Sequence, residues 1–269
     1  MGKFDGVLLV SDFDGTLCEK DGVIPPENLR AIERFRAEGG RFTVATGRSP
    51  VTLGKYADLL GTDTPAVLFN GSMLYDFKAD KPLLHVTLGA DAPKDLAALC
   101  KEMPEVGVEA HHVDRLYVYR PNWVFDYHMG LIGGIRHTVC PVEEMPLPWT
   151  KVIVLQEHET LLRARELLLA RCAERYEIFF SDPNFLELVP KGSGKGGMVR
   201  RLADRLGIAK ENLYCVGDSQ NDVSMLKISA VPFAPADCTD EVRSIRPHMV
   251  RPCDEGAIAD VVGYLEKVY

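Results

Sequence analysis

No apolar run in this sequence is long enough to cross a bilayer, so a membrane-spanning helix is not expected. Its beginning, Met1-Gly2-Lys3-Phe4-Asp5-Gly6, lacks the apolar core and small-residue cleavage site of a signal peptide. Gly6 also stands where a myristoylation motif requires Ser or Thr. The seven cysteines (18, 100, 140, 172, 215, 238 and 253) are odd in number, and none forms a CxxC pair. That pattern argues against a disulfide framework and a zinc cage, and the expectation is free thiols in the cytoplasm. Basic charge is also in short supply. The net charge is −8, which disfavours a partner such as nucleic acid that is bound by displacing counterions. There are no internal repeats and no low-complexity segments.

What is present is enough apolar material for a substantial core: 46% of 269 residues. Val7-Leu8-Leu9-Val10 reads as a buried strand ending at Ser11-Asp12. A helix opens at Pro25-Pro26, with Leu29, Ile32 and Phe35 on one face, and stops at Gly39-Gly40. Phe42–Ala45 is a second buried strand, running into Thr46-Gly47-Arg48. A helix carrying Leu53, Ala57 and Leu60 follows, and then a third strand, Ala66–Phe69, ends at Asn70-Gly71. This alternation predicts an α/β fold: a Rossmann-like, doubly wound parallel sheet. Near Lys81-Pro82 the pattern changes. Strands at Val106–His112 and Leu116–Arg120, an irregular aromatic stretch, a strand at Lys151–Gln156 and a helix at Glu157–Ala173 indicate an inserted α/β module. The first pattern returns with a helix at Gly194–Leu206, strands at Leu213–Val216 and Ala230–Ala234, and a closing helix at Asp254–Val268. The predicted division is a core of residues 1–82 and 184–269 and a cap of residues 83–183. The proline-containing segments at Lys81-Pro82 and Asp182-Pro183 would act as hinges.

Four polar clusters lie at or beside predicted strand ends, where open parallel sheets bind ligands. They are Asp12-Phe13-Asp14-Gly15-Thr16, Thr46-Gly47-Arg48, Lys191–Lys195 and Gly217-Asp218-Ser219-Gln220-Asn221-Asp222. Phosphoester hydrolysis needs an oxygen nucleophile, a proton donor for the leaving group, donors for the phosphoryl oxygens and a cation to offset the charge. Asp12 suits the first role and Asp14, two residues on, the second. Thr46 and Lys195 suit the third. Asp218 and Asp222 add hard oxygen ligands that favour Mg²⁺. Lys191 competes locally with Lys195, and Asp222 could instead be a carboxylate complementing a helix start. A Walker A reading of Gly192-Ser193-Gly194-Lys195-Gly196 fails, because Gly196 occupies the Ser/Thr position and Val189 that of the first Gly. His111, His112 and Asp114 are read as hairpin residues rather than as metal ligands.

DFDGTL at 12–17, the strand ending at Thr46, the lysine of GSGKG and GDSQND at 217–222 resemble, in order, the four motifs of the haloacid dehalogenase superfamily. The long insertion and Asn70-Gly71 resemble the Cof-type sugar-phosphate phosphatases with an α/β cap. The resemblance implies Asp12 as nucleophile, Asp14 as acid/base, and Thr46 and Lys195 as phosphoryl-binding residues. Asp12, Asp14 (through its carbonyl) and Asp218 are the implied magnesium ligands, with Asp222 in or beside that set. Gly47, Arg48, Asn70 and Asn221 are the implied contacts to substrate or phosphate. A carboxylate at position 14 separates the chain from dehalogenases, and from P-type ATPases, which carry Thr there. The expected activity is Mg²⁺-dependent hydrolysis of a small phosphorylated metabolite, by a monomer or homodimer. A phosphomutase and a phosphosugar-binding regulator are the alternatives. Cap residues Arg115, Tyr117, Arg120 and Trp123 are expected to select the leaving group.

Overall fold

The computed structural model describes residues 2–19, 22–61 and 63–269. In chain order it begins with β1 (Leu8–Ser11), α1 (Pro26–Ala37), β2 (Arg41–Val44), the short helices α2 (Pro50–Gly54) and α3 (Ala57–Leu60), and strands β3 (Ala66–Leu68), β4 (Met73–Asp76) and β5 (Lys81–His85). Next come α4 (Ala92–Glu102), β6 (Gly107–His111), β7 (Leu116–Tyr119), α5 (Trp123–Ile132), β8 (His137–Val139), β9 (Lys151–Leu155), α6 (His158–Cys172), β10 (Tyr176–Asp182) and β11 (Phe185–Pro190). The chain finishes with α7 (Gly194–Leu206), β12 (Leu213–Val216), α8 (Val223–Leu226), β13 (Pro232–Pro235), α9 (Asp240–Ser244), β14 (His248–Val250) and α10 (Ala257–Val268).

The core sheet is parallel throughout, in the order β14-β13-β12-β1-β2. Because β1 is buried on both faces, its apolar run is continuous rather than alternating. Leu9 packs into the layer formed by α1 and α10, with Ile32, Phe35, Val261 and Leu265. Leu8 and Val10 pack into the opposite layer, with Met198, Val199 and Leu202 of α7 and Met225 of α8. Each such side chain contributes about 1.5–3 kcal/mol on burial. Asn28 of α1 ties one layer together, its Oδ1 accepting from the Ile258 and Ala259 N–H groups at the start of α10 (3.0 and 3.1 Å). The α/β expectation therefore holds, with a sixth strand position served differently. β3 touches the sheet through a single bridge, Ala45 to Val67, and otherwise pairs antiparallel with β4, which pairs with β5.

The inserted module is a six-stranded sheet ordered β10-β11-β9-β6-β7-β8, antiparallel except for β7 with β8. One face carries Val108, Ala110, Val152, Val154, Leu186 and Leu188 against α4 and α6. The other carries Glu109, His111, Lys151, Ile153 and Glu187, partly roofed by α5.

Three expectations need correction. Lys81-Pro82 lies inside β5, on the core side, and Asp182-Pro183 lies at the turn of the β10–β11 hairpin, where Asp182 pairs with Phe185. The cap sheet therefore continues to Pro190, and the chain crosses between the two sheets at residues 86–91 and 191–193 rather than at 82 and 183. The aromatic stretch after β7 is not irregular. It is the helix α5, whose N-terminus is capped by Asn122 Oδ1 accepting from Val124 and Phe125 N–H. The single helix predicted after Arg48 is broken into α2 and α3.

Candidate active site

Strands β1, β2 and β12 end side by side at the point where chain order reverses across the sheet, the position at which such sheets bind ligands. The Asp12 N–H continues the ladder to Val216 O (2.9 Å), and the Thr46 N–H reaches Val67 O (2.9 Å). The fold thus delivers Asp12, Thr46 and Asp218 to one crevice. Gly15 turns the chain immediately after Asp14 at φ +83°; a Cβ there would stand 3.1 Å from Asp218 Oδ2.

Lys195, in the first turn of α7, enters the crevice from the side. Its Nζ donates to Asp12 Oδ1 (2.5 Å) and Asp222 Oδ1 (2.6 Å), and all three side chains are almost wholly buried. Burial works against the Lys195 charge, but Asp12 and Asp222 outweigh it and hold the ammonium above its ordinary range. Burial foremost, then Asp222, pushes the Asp12 carboxyl well upward against the pull of Lys195. Burial and Asp222 also raise Asp218. Asp218 is gripped by two hydroxyls, Thr16 Oγ1 to Oδ1 (2.6 Å) and Ser219 Oγ to Oδ2 (2.7 Å). Asp222 is braced, its Oδ2 accepting from the Asp218 and Ser219 N–H groups (3.0 Å each). Carboxylate oxygens of Asp12, Asp218 and Asp222 lie within 4.8 Å of one another. One lysine among three carboxylates leaves an excess of negative charge that a cation would relieve, and the all-oxygen donor set fits Mg²⁺.

Asp14 stands at the mouth of the crevice with its side chain about half exposed. Its carboxylate receives the Arg48 guanidinium as a fork: Nη2 to Oδ1 (2.6 Å) and Nε to Oδ2 (2.9 Å). Arg48 in turn stacks on Phe13 (4.8 Å to the ring centroid) and Tyr56 (5.6 Å). Arg48 was expected to meet the substrate, but here its guanidinium is committed to Asp14. Thr46 Oγ1 accepts from the Arg48 N–H (3.2 Å).

Asn70 was also expected at the substrate. It is fully buried, and both ends of its amide are engaged: Nδ2 donates to Glu187 Oε2 (2.8 Å) and Oδ1 accepts from Asn221 Nδ2 (3.1 Å). It bridges core and cap rather than lining an open cavity. Gly47 lies against it, since a Cβ at 47 would fall 3.1 Å from Asn70 Nδ2. Asn221 Oδ1 and Ser193 Oγ are buried without a hydrogen-bond partner. Sequence reasoning gave no individual role to Thr16, Ser219, Glu187 or Lys151. The signal for the last two was available: a single charge in each of two otherwise apolar strands, Lys151 in KVIVL and Glu187 in FLELVP. Lys151 Nζ meets Glu187 Oε2 (2.9 Å), and Ser181 Oγ meets Glu187 Oε1 (2.5 Å).

The expected cap residues lie elsewhere. Arg115 pairs with Asp114 at the surface, and Arg120 donates to Pro104 O (2.8 Å) behind α4. Tyr117, opposite Ala110 in register, packs on the helix-covered face, and Trp123 is exposed at the start of α5.

The profile of the haloacid dehalogenase-like hydrolases matches residues 9–262. The HMP-PP phosphatase of Escherichia coli is 26% identical over 246 residues, covering 90% of this chain and 88% of that one. The YxeH protein of Bacillus subtilis is 26% identical over 263 residues, covering 95% and 96%. Among solved structures, a subclass IIB sugar phosphatase superimposes with a TM-score of 0.84 at 22% identity, over 97% of this chain and 99% of that one. A haloacid dehalogenase-like hydrolase from Bacteroides thetaiotaomicron gives 0.82 at 22% identity, over 98% and 99%.

Proposed function

The chain belongs to the haloacid dehalogenase-like hydrolases, as a phosphatase of that family, and from this premise we propose that it hydrolyses a small phosphomonoester, of the sugar-phosphate class, through a phosphoaspartate on Asp12. The observation that carries the reading is the convergence of Asp12, Asp218 and Asp222 around the buried ammonium of Lys195. Mg²⁺ would be held by Asp12, Asp218 and the Asp14 carbonyl, and it would offset the charge between nucleophile and phosphate. Asp222 stands in or beside that set and also braces the Asp218 loop and Lys195.

The chemistry then runs on the chain's own groups. An Asp12 carboxylate oxygen attacks phosphorus, and the bond to the leaving oxygen breaks. Asp14 gives that oxygen its proton, so the alcohol departs neutral. Asp14, now a carboxylate, takes a proton from water. The resulting hydroxide attacks the aspartyl phosphate, releasing inorganic phosphate and restoring Asp12. Lys195 and the Thr46 hydroxyl hold phosphoryl oxygens as charge builds on them.

The test is phosphate release from a panel of phosphorylated metabolites, with Mg²⁺ and after EDTA. Turnover of at least one sugar phosphate, lost in EDTA and restored by Mg²⁺ but poorly by Ca²⁺, is the expected result. Binding without phosphate release would overturn it in favour of a regulator. Labelled phosphate reappearing on the sugar would identify a mutase.

A further inference from the structure

A second polar cluster lies on the cap, outside the site described above. Glu109 and His111 are two apart on β6 and so share one face of the sheet. His128, from α5, comes down onto the same point. His128 Nδ1 stands 2.9 Å from Glu109 Oε2 and 3.1 Å from Oε1, while His111 Nε2 stands 3.0 Å from Oε2. Glu109 is fully buried, and the two histidines are more than nine-tenths buried. Phe185 packs on the His128 ring at 4.9 Å, and Leu116, Val118 and Ile153 complete an apolar shell on this face. The sequence reading considered His111 together with His112 and Asp114. The fold separates those three: His112 Nε2 bonds Pro146 O and Asp114 pairs with Arg115. It brings His111 and its strand neighbour Glu109 to His128, which spacing alone does not connect to them.

Two features of the cluster suit a bound cation. The first is direction. One nitrogen from each imidazole stands within 3.0 Å of Oε2, and His128 Nδ1 also reaches Oε1 at 3.1 Å, so two ring nitrogens and a carboxylate meet at one buried spot. The donor atoms of all three residues lie within 4.8 Å of one another. The second is charge. A buried carboxylate requires a counter-charge. Lys151, opposite His111 in the β6–β9 register, has its ammonium committed to Glu187 at 2.9 Å, so the counter-charge of Glu109 comes from the two imidazoles that face it or from a cation they hold with it.

We propose that Glu109, His111 and His128 bind a divalent transition-metal ion of the zinc type, separate from the Asp12–Asp218–Asp222 site, which pins α5 to the cap sheet. Two imidazole nitrogens and one carboxylate oxygen form a donor set for zinc, cobalt or nickel, not for magnesium or calcium, which take oxygen. The ion supplies a fixed positive charge beside Glu109 and joins a strand to the helix that covers it. It stabilises the folded chain because no such arrangement of ligands survives unfolding.

The experiment uses the untagged full chain, stripped with a chelator, loaded with Zn²⁺ or Co²⁺, desalted and assayed for bound metal. One tightly held ion per chain is expected, with the visible absorption of Co²⁺ in low-symmetry nitrogen and oxygen coordination, and a rise in Tm on adding Zn²⁺. His128→Ala and the closer His128→Asn should lose the ion and the Tm response, while Asp218→Ala, which damages only the core site, should keep both. Should the histidine variants fail to fold, the wild-type stoichiometry and Co²⁺ spectrum decide the question alone. A folded wild-type chain that holds no Zn²⁺ or Co²⁺ would overturn the proposal, as would an ion lost in Asp218→Ala and kept in His128→Ala. A metal-free wild type whose His111→Ala and His128→Ala forms lose kcat/KM on a metabolite but not on p-nitrophenyl phosphate would also overturn it, and would assign the cluster to leaving-group recognition.

Discussion

At the scale of single residues, the site is a balance of buried charges, and each substitution has a definite direction. Asp12→Asn keeps shape and removes the nucleophile, so turnover should fall by at least about 10³-fold while the fold survives. Wild-type-like rates in a folded variant would remove Asp12 from the mechanism. Arg48 is a positioning residue, since its fork fixes where the Asp14 carboxylate points. Arg48→Ala should lower kcat by about 10- to 100-fold with little change in KM, because a displaced acid/base costs rate rather than binding. Arg48→Lys should recover little of it, since an ammonium cannot make the fork. A raised KM with unchanged kcat would show instead that Arg48 binds substrate.

At the scale of elements, the position of Lys195 depends on a close backbone contact. Gly71 follows β3 at φ +103°, and a Cβ there would stand 2.0 Å from Gly194 O, at the start of α7. Gly71→Ala therefore forces both an unfavourable backbone conformation and a shift of the helix that carries Lys195. A loss of about 2–4 kcal/mol in stability is expected, with reduced kcat in whatever fraction remains folded. Urea unfolding together with phosphatase assays separates the two effects. Unchanged stability and rate would mean that the two segments move apart freely. A related constraint acts at Gly217, where a Cβ would meet the Asp222 side chain at 2.5 Å.

At the scale of the whole molecule, the two sheets meet through Glu187. From β11 it accepts from Asn70 of the core and from Lys151 and Ser181 of the cap. Burial pushes its carboxyl up, but Lys151 and the two hydrogen-bond donors outweigh burial and hold it below the ordinary carboxylate range. A depressed folded-state pKa means the stabilisation is present above the unfolded value and is lost as pH falls through the folded one. Glu187→Gln leaves Lys151 buried without a counter-charge, so at pH 7 it should cost about 3 kcal/mol. The gap to wild type should narrow below about pH 4, where the unfolded-state carboxyl takes up its proton. Denaturant unfolding at pH 7 and in acid measures this, and a gap independent of pH would show that the charge of Glu187 contributes nothing. The same variant should lose more kcat/KM on a sugar phosphate than on p-nitrophenyl phosphate, because it loosens the cap and not the phosphoryl site.

By itself, the sequence determined the alternation of buried strands and helices, the presence of an inserted module, and the motif residues that end β1, β2 and β12. These are legible because a strand buried on both faces must be continuously apolar, and because the residue following its last apolar position is delivered to the strand end by geometry alone. Only the tertiary structure decided the partners. Arg48 grips Asp14, Asn70 spans core and cap, and the residues turned toward the core are Lys151 and Glu187 rather than Arg115 or Arg120. It also moved the crossing segments away from Pro82 and Pro183, because proline marks a turn or an edge without saying whether the strands beside it pair. Glu109, His111 and His128 meet for the same reason: sequence periodicity says which face a side chain shares, but packing between distant elements chooses what it faces.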